Sequence, residues 1–210
     1  MPAINETQFR QLPLHAHRFL ADVPLHSTSR LYLPGGRAGM TLSDINAITQ
    51  FNQADDSDFG PLTQALFWLR TKIGRLLGWD EAPELVASVS WLHKLSAEDR
   101  ARSQVTPGQA EGISRLLYCF ENEMLAEIIN RTVHCFWVMA TEKTTNGYAL
   151  YMAVYVRKLN WFTPIYMALV SPLLLWVIYP AIENGLRRRW EKAFPIRDEV
   201  PPAPRLVLHK

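Results

Sequence analysis

The run from Leu159 to Ile182 contains no Asp, Glu, Lys or Arg. Arg157 and Lys158 precede it, and Glu183 and then Arg187, Arg188 and Arg189 follow. As an ideal helix it would extend roughly 36 Å at ~1.5 Å per residue, enough for a ~30 Å hydrocarbon core. The same run suits the buried spine of a domain, because a helix inside a sheet can be apolar nearly all round. Pro172 and Pro180 count against both readings. Each removes a helix N–H, at a cost on the order of 3 kcal/mol in a soluble helix interior, and membrane helices tolerate that better. Trp161, Tyr166, Trp176 and Tyr179 are candidate interfacial anchors, although the last two lie deep for that role. Positive charge flanks both ends, so charge sets no orientation. The remainder of the chain has to decide what this run packs against.

That remainder alternates between short helical and strand-rich stretches. Residues 1–15 read as a loose arm. The stretch His17 to Gly36 has extended character and closes in Pro34-Gly35-Gly36, so a first strand ends near Leu33. Thr41 with Asp44 three residues on is a helix start, and Leu42, Ile45 and Ile48 recur at helical spacing. Residues 52–61 form a loop whose Asp55, Asp56 and Asp58 lack the glycine and closing glutamate of a calcium loop. A second helix runs from about Pro61 to Leu77 on an apolar stripe of Leu62, Leu66, Leu69, Ile73 and Leu76. Glu84 to Leu95 reads as a strand, and Ser96 caps a short helix.

From Ile113 to Arg157 the chain is rich in β-branched and aromatic residues, with turns at 122–124 and 143–147, the latter carrying Asn146-Gly147. Three antiparallel strands follow from that pattern. The middle one is read as a single strand from Glu127 to Glu142, with Asn130, Thr132, His134 and Phe136 on one face. After the uncharged run, Ile182, Leu186, Trp190 and Ala193 continue a helical stripe to Pro195, and residues 195–210 are a proline-rich tail.

These words carry a resemblance. LFWLRTKIGRLLGWD, LSAEDRARSQV, FENEMLAEIINRTVHCFWV, YMAVYV, YMALVSP and VIYPAI, in this order over roughly residues 15 to 194, resemble the uncharacterised bacterial domain-of-unknown-function family 2867. The element order resembles the helix-grip fold of START, Bet v 1-like and polyketide-cyclase-like domains. The resemblance implies an α+β domain over 16–194, in which a curved antiparallel sheet wraps a long C-terminal helix and two short helices follow the first strand. It implies a hydrophobic cavity between sheet and helix, and it tips the uncharged run toward a buried spine. Relatives are expected to be more polar after the first proline of that helix, whereas here Pro172 is followed by Leu173, Leu174, Leu175 and Trp176.

The chemistry is sparse. A net charge of +2 is too small to argue for nucleic acid, and two cysteines, Cys119 and Cys135, make neither a disulfide framework nor a metal site. There is no GxSxG elbow, phosphate loop, dinucleotide fingerprint or HExxH. No metal and no cofactor is expected, and His15 and His17 read as a surface pair. The amino-terminal stretch has no secretory pattern, so a cytoplasmic protein is the expectation, with membrane association as the alternative.

The expected function is binding of a hydrophobic small molecule or lipid, with Tyr118, Asn130, Thr132, His134, Tyr151, Tyr155 and Tyr166 lining the cavity. An enzyme on the same scaffold is the first alternative, with His134, Arg131 and Tyr151 as its catalytic candidates and Glu121 and Glu127 as a pair of turn carboxylates. An ion pair between Arg131 and Glu127 is the plainer reading of that arginine. Asn130 and His134 would lie roughly 13 Å apart along a strand, too far to hydrogen bond to each other. The second alternative is a membrane protein anchored by residues 159–182.

Overall fold

The computed structural model describes residues 5–50, 88–111 and 114–195. The Asp-rich loop, the helix expected over 61–77, the first residues of the strand expected at 84–95, and the C-terminal tail beyond Pro195 lie outside the described residues.

A curved, fully antiparallel six-stranded sheet organises the chain, in the order β1-β6-β5-β4-β3-β2. Its strands are β1 (Leu25–Pro34), β2 (Ala110–Glu111), β3 (Ser114–Cys119), β4 (Glu123–Ile129), β5 (His134–Thr144) and β6 (Gly147–Arg157). The first strand pairs with the last, Leu31 opposite Leu150, so one edge of this open sheet joins strands distant in the chain. The β5–β6 hairpin turns at Thr145 and Asn146, and Gly147 has φ of 150°. A Cβ there would lie 2.2 Å from the Leu33 carbonyl oxygen, which explains the glycine.

The strand read from Glu127 to Glu142 is two strands. Asn130 breaks it: its Oδ1 accepts from the Thr132 N–H (2.9 Å), the Thr132 hydroxyl (2.6 Å) and the Val133 N–H (2.9 Å). A side chain that satisfies three local donors makes a turn cheaper than continued pairing. The chain reverses there, and Ile129 pairs with His134. The strand expected over 84–95 is also absent from its described part, where Trp91–Lys94 forms a 3-10 turn.

Both sheet faces are covered. One face, called face A, buries Leu125, Phe136, Val138, Ala153 and Tyr155 under Phe9, Ala16, Leu20, Trp91 and Leu95. Its cover comes from α1 (Glu6–Arg10), α2 (His15–Phe19) and the 3-10 turn. Residues 5–15, expected to be a loose arm, are therefore packed, and Phe9 is fully buried. The other face, face B, carries Leu31, Leu33, Met139, Leu150 and Met152 against α3 (Leu42–Thr49) and the C-terminal helix. The expected capping box at Thr41 and Asp44 is present in α3. A further short helix, α4 (Ala97–Arg102), starts with a second capping box, at Ser96 and Asp99.

The C-terminal helix has three parts: α5 (Thr163–Leu173), a π-turn (Leu174–Ile178) and α6 (Tyr179–Ala193). Pro172 and Pro180 leave gaps in its hydrogen-bond ladder, and the wider turn lies between them. The α6 end is well anchored. Trp190 is fully buried and its indole N–H donates to the Pro34 carbonyl at 2.8 Å. Its ring lies so close to Gly36 that a Cβ there would approach it to 3.0 Å. Tyr148 ties the same corner by accepting from the Met40 N–H and donating to the Arg37 carbonyl. The α5 end is held differently. The Thr163 hydroxyl donates to the Thr132 carbonyl (2.7 Å), and Asn160 donates to the Arg131 carbonyl (2.8 Å). Tyr166 and Val170 then pack on Val133, Val154 and Val156.

The helix is not buried as a spine would be. Its 18-residue apolar window is only 11% buried, and the helix is long and apolar enough to cross a bilayer. The sheet grips one side of it.

Candidate functional site

Three places hold the residues singled out from the sequence. Tyr118, His134, Tyr151 and Tyr155 belong to face A, Asn130 and Thr132 are buried in the β4–β5 turn, and Tyr166 packs on face B. They do not line one cavity between sheet and helix.

On face A the polar groups are arranged around two glutamates of β4, four residues apart and therefore on one side of the strand. Glu123 accepts from the backbone N–H groups of His15 (2.8 Å) and Ala16 (2.7 Å) and from the Tyr118 hydroxyl (2.6 Å). It satisfies the open N-terminus of α2, whose own preceding residue, Leu14, offers no cap. Glu127 does the same for the 3-10 turn. It accepts from the Trp91 N–H (3.0 Å), from the Ser90 hydroxyl in a short contact, and from His134 Nε2 (3.1 Å). Burial pushes the Glu127 carboxyl up, but the hydrogen bonds from His134, Ser90 and Trp91 outweigh it and hold the group below its usual range. Glu127 is thus a buried strand residue, not a solvated turn carboxylate, whereas Glu121 is exposed in the β3–β4 turn. Arg131 is exposed, and no Arg131–Glu127 ion pair occurs among the described residues.

The enzyme constellation does not assemble. His134 and Tyr151 share face A, but Tyr151 pairs with Ala140, six residues along β5 from His134. That separates them by roughly 20 Å at ~3.4 Å per residue. The Tyr151 hydroxyl donates to Glu142 at 2.7 Å, and burial and that acceptor raise its pKa. His134 is fully buried against Trp91 and Phe136. Ser90, Glu127 and His134 resemble a triad in composition only. The carboxylate sits between the serine and the histidine, so the imidazole makes no hydrogen bond to the hydroxyl and the order of a nucleophile, base and orienting acid is not reproduced. Tyr155 meets His17 Nδ1 at 3.3 Å, while His17 Nε2 lies 2.9 Å from the Phe9 carbonyl. Burial lowers the His17 pKa, partly offset by that carbonyl. His15 and His17 are therefore part of the arm's packing, and His15 Nε2 lies 3.3 Å from Asp99. No group of three or more His, Cys, Asp or Glu suited to a metal ion occurs among the described residues.

On face B, one apolar cleft of about 30 Å³ lies under the π-turn. Trp137, Met152 and Val154 form its floor, Leu175, Tyr179 and Ile182 its roof, and Ser27, Thr28 and Ser29 of β1 one wall. Burial raises the Tyr179 hydroxyl, which hydrogen bonds to Ser27. Glu183, the residue after Ile182, is buried, and its Oε1 has no hydrogen-bond partner among the described residues. None of the lining residues is among the ligand-binding candidates read from the sequence, although Tyr179 is read as an interfacial anchor and Ile182 as part of the helical stripe, and the candidate Tyr166 lies nearby. The available signal was the pair of prolines, which marks where the helix cannot keep a regular ladder.

Sheet, helix and cleft define an α+β helix-grip architecture with an apolar seam. Residues 28–181 match the family described as "Protein of unknown function (DUF2867)", and the chain belongs to that family. No curated protein and no solved structure matches it.

Proposed function

We propose that this protein is a START-like binder of a hydrophobic ligand, an acyl chain or a molecule of similar shape, held in the seam between face B and the C-terminal helix. The observation that carries the reading is the cleft under the π-turn: six apolar or aromatic side chains, with the β1 hydroxyls on one wall and the Tyr179 hydroxyl of the roof bonded to Ser27 of that wall. That is the composition of a small-molecule site, mostly apolar with a few orienting polar groups. Its volume of about 30 Å³ admits little more than a water. Ligand sites run to about 300–1,000 Å³, so binding requires α5 and the π-turn to lift from the sheet. The helix is built for that. Its α6 end is locked by Trp190, its middle is interrupted at two prolines, and its α5 end rests on aliphatic contacts and a few hydrogen bonds.

The test is a fluorescent fatty-acid titration. Val154→Phe fills the floor of the cleft and should abolish saturable binding, at an overpacking cost of about 1–3 kcal/mol that a melting curve will register. Tyr151→Phe alters the opposite face and should leave binding intact. Equal binding by both variants, or none by the native chain, rejects the seam as the site.

A further inference from the structure

We propose that the outward side of α5 and the π-turn is a docking surface for an anionic lipid bilayer, with the helix lying in the plane of the membrane. This goes beyond ligand binding and rests on a different surface. Trp161, Ile165, Leu169 and Trp176 are 81%, 54%, 79% and 79% exposed. With the exposed Pro172 they recur at spacings of four, four, three and four, which makes one continuous stripe along the helix. Soluble monomers rarely leave a contiguous apolar surface of this kind uncovered.

Charge selects the occupant. The fold gathers two exposed cations at the start of the stripe from two separate places: Arg131 in the β4–β5 turn and Lys158 just beyond β6, whereas the neighbouring Arg157 turns to face A, over the Trp91 ring. The hydrogen bonds from Asn160 and Thr163 to that turn hold them beside the helix. Arg187 is exposed past the other end, and the stripe itself carries no acid. An apolar stripe flanked by cations matches the boundary between acyl chains and anionic headgroups.

Geometry selects the orientation. Trp161 and Trp176 lie on the same exposed side, so an in-plane helix places both indoles at interfacial depth. A spanning helix would put Trp176 deep in hydrocarbon and would strip Thr163, Tyr166 and Val170 from the sheet.

The experiment is flotation of the full chain with phosphatidylcholine vesicles, with and without one-quarter phosphatidylglycerol, alongside sedimentation of the free protein. The native chain should float with the anionic vesicles. Leu169→Glu should cut the bound fraction by on the order of tenfold. Lys158→Gln and Arg131→Gln should each cut it by roughly fivefold, an effect that vanishes in high salt. All three side chains are exposed, so unchanged melting curves and unchanged fatty-acid titrations are expected. No flotation together with a concentration-dependent dimer that Leu169→Glu dissolves would overturn the proposal and put a second copy on the stripe. Flotation indifferent to phosphatidylglycerol and to Leu169→Glu would overturn it as well. So would native protein that resists alkaline carbonate and leaves the membrane only in detergent, which is the behaviour of a spanning helix.

Discussion

Replacing Glu127 by alanine should destabilise the fold more than any change at the sheet's exposed tyrosine, Tyr32. The side chain is 1% exposed and receives hydrogen bonds from Ser90, from the Trp91 backbone and from His134. Removing it leaves three buried donors without an acceptor, each worth about 1–3 kcal/mol when unsatisfied. The serine hydroxyl can rotate to a new partner, and the desolvation cost of the carboxylate is recovered. A net loss of about 3–5 kcal/mol results, as for other broken buried pairs. For a chain of this size each kcal/mol moves the midpoint by about 2–4 °C, so the loss is a drop of roughly 6–20 °C. Ser90→Ala should lose only about 1 kcal/mol, or 2–4 °C. The folded carboxyl lies below the usual 4.5. Its contribution is therefore fully present above the unfolded value and is lost as pH falls through the folded one. Differential scanning fluorimetry at pH 7 and at descending acid pH measures both effects. A Glu127→Ala midpoint within 2 °C of native at pH 7 would refute the role assigned to this residue.

Glu123→Ala should release α1 and α2 before the sheet unfolds, because it removes the acceptor for two N-terminal N–H groups and Tyr118. Limited proteolysis should then cut between residues 5 and 20 at protease levels that leave the native chain intact. Gly147→Ala should be among the most damaging single-methyl additions, since the new Cβ would meet the Leu33 carbonyl at 2.2 Å; loss of soluble expression or a large fall in midpoint is expected. Cys135, packed beneath α5 with its thiol pushed up to about 12 by burial, reports on the seam. In a Cys119→Ala background its alkylation should be slow in buffer and should accelerate when fatty acid lifts α5, whereas an unchanged rate at saturating ligand contradicts the opening.

The sequence made the fold class readable because its signals were local. The Thr41–Asp44 cap, the Asn146-Gly147 hairpin and the prolines of the last helix act within a few residues of themselves. The errors have equally definite causes. Asn130 is a turn former set between β-branched stretches, and strand propensity masked it until its three local hydrogen bonds were visible. The arm looked loose because its anchor, Glu123, is 108 residues away from His15. Trp91 and Leu92 suit a strand by composition, but Ser90 and Glu127, an acceptor distant in the same chain, favour a 3-10 turn. Which face a candidate site residue occupies is a matter of parity: Tyr118, His134, Tyr151 and Tyr155 share face A, away from the C-terminal helix. Aromatic residues on β3 and β6 point to either face according to register, and register depends on pairing across the whole sheet. The helix was read as a spine because apolar composition does not distinguish contact with a sheet from contact with lipid.

The central claim is that the seam under the π-turn holds a hydrophobic molecule. The most direct measurement is organic extraction of the untagged protein purified without detergent, followed by mass spectrometry of the extract and native mass spectrometry of the intact chain. A molecule bearing an acyl or comparable apolar chain, near one per protein and absent from the Val154→Phe variant, is the predicted result. An empty native chain, or the same bound molecule in both proteins, would contradict the account.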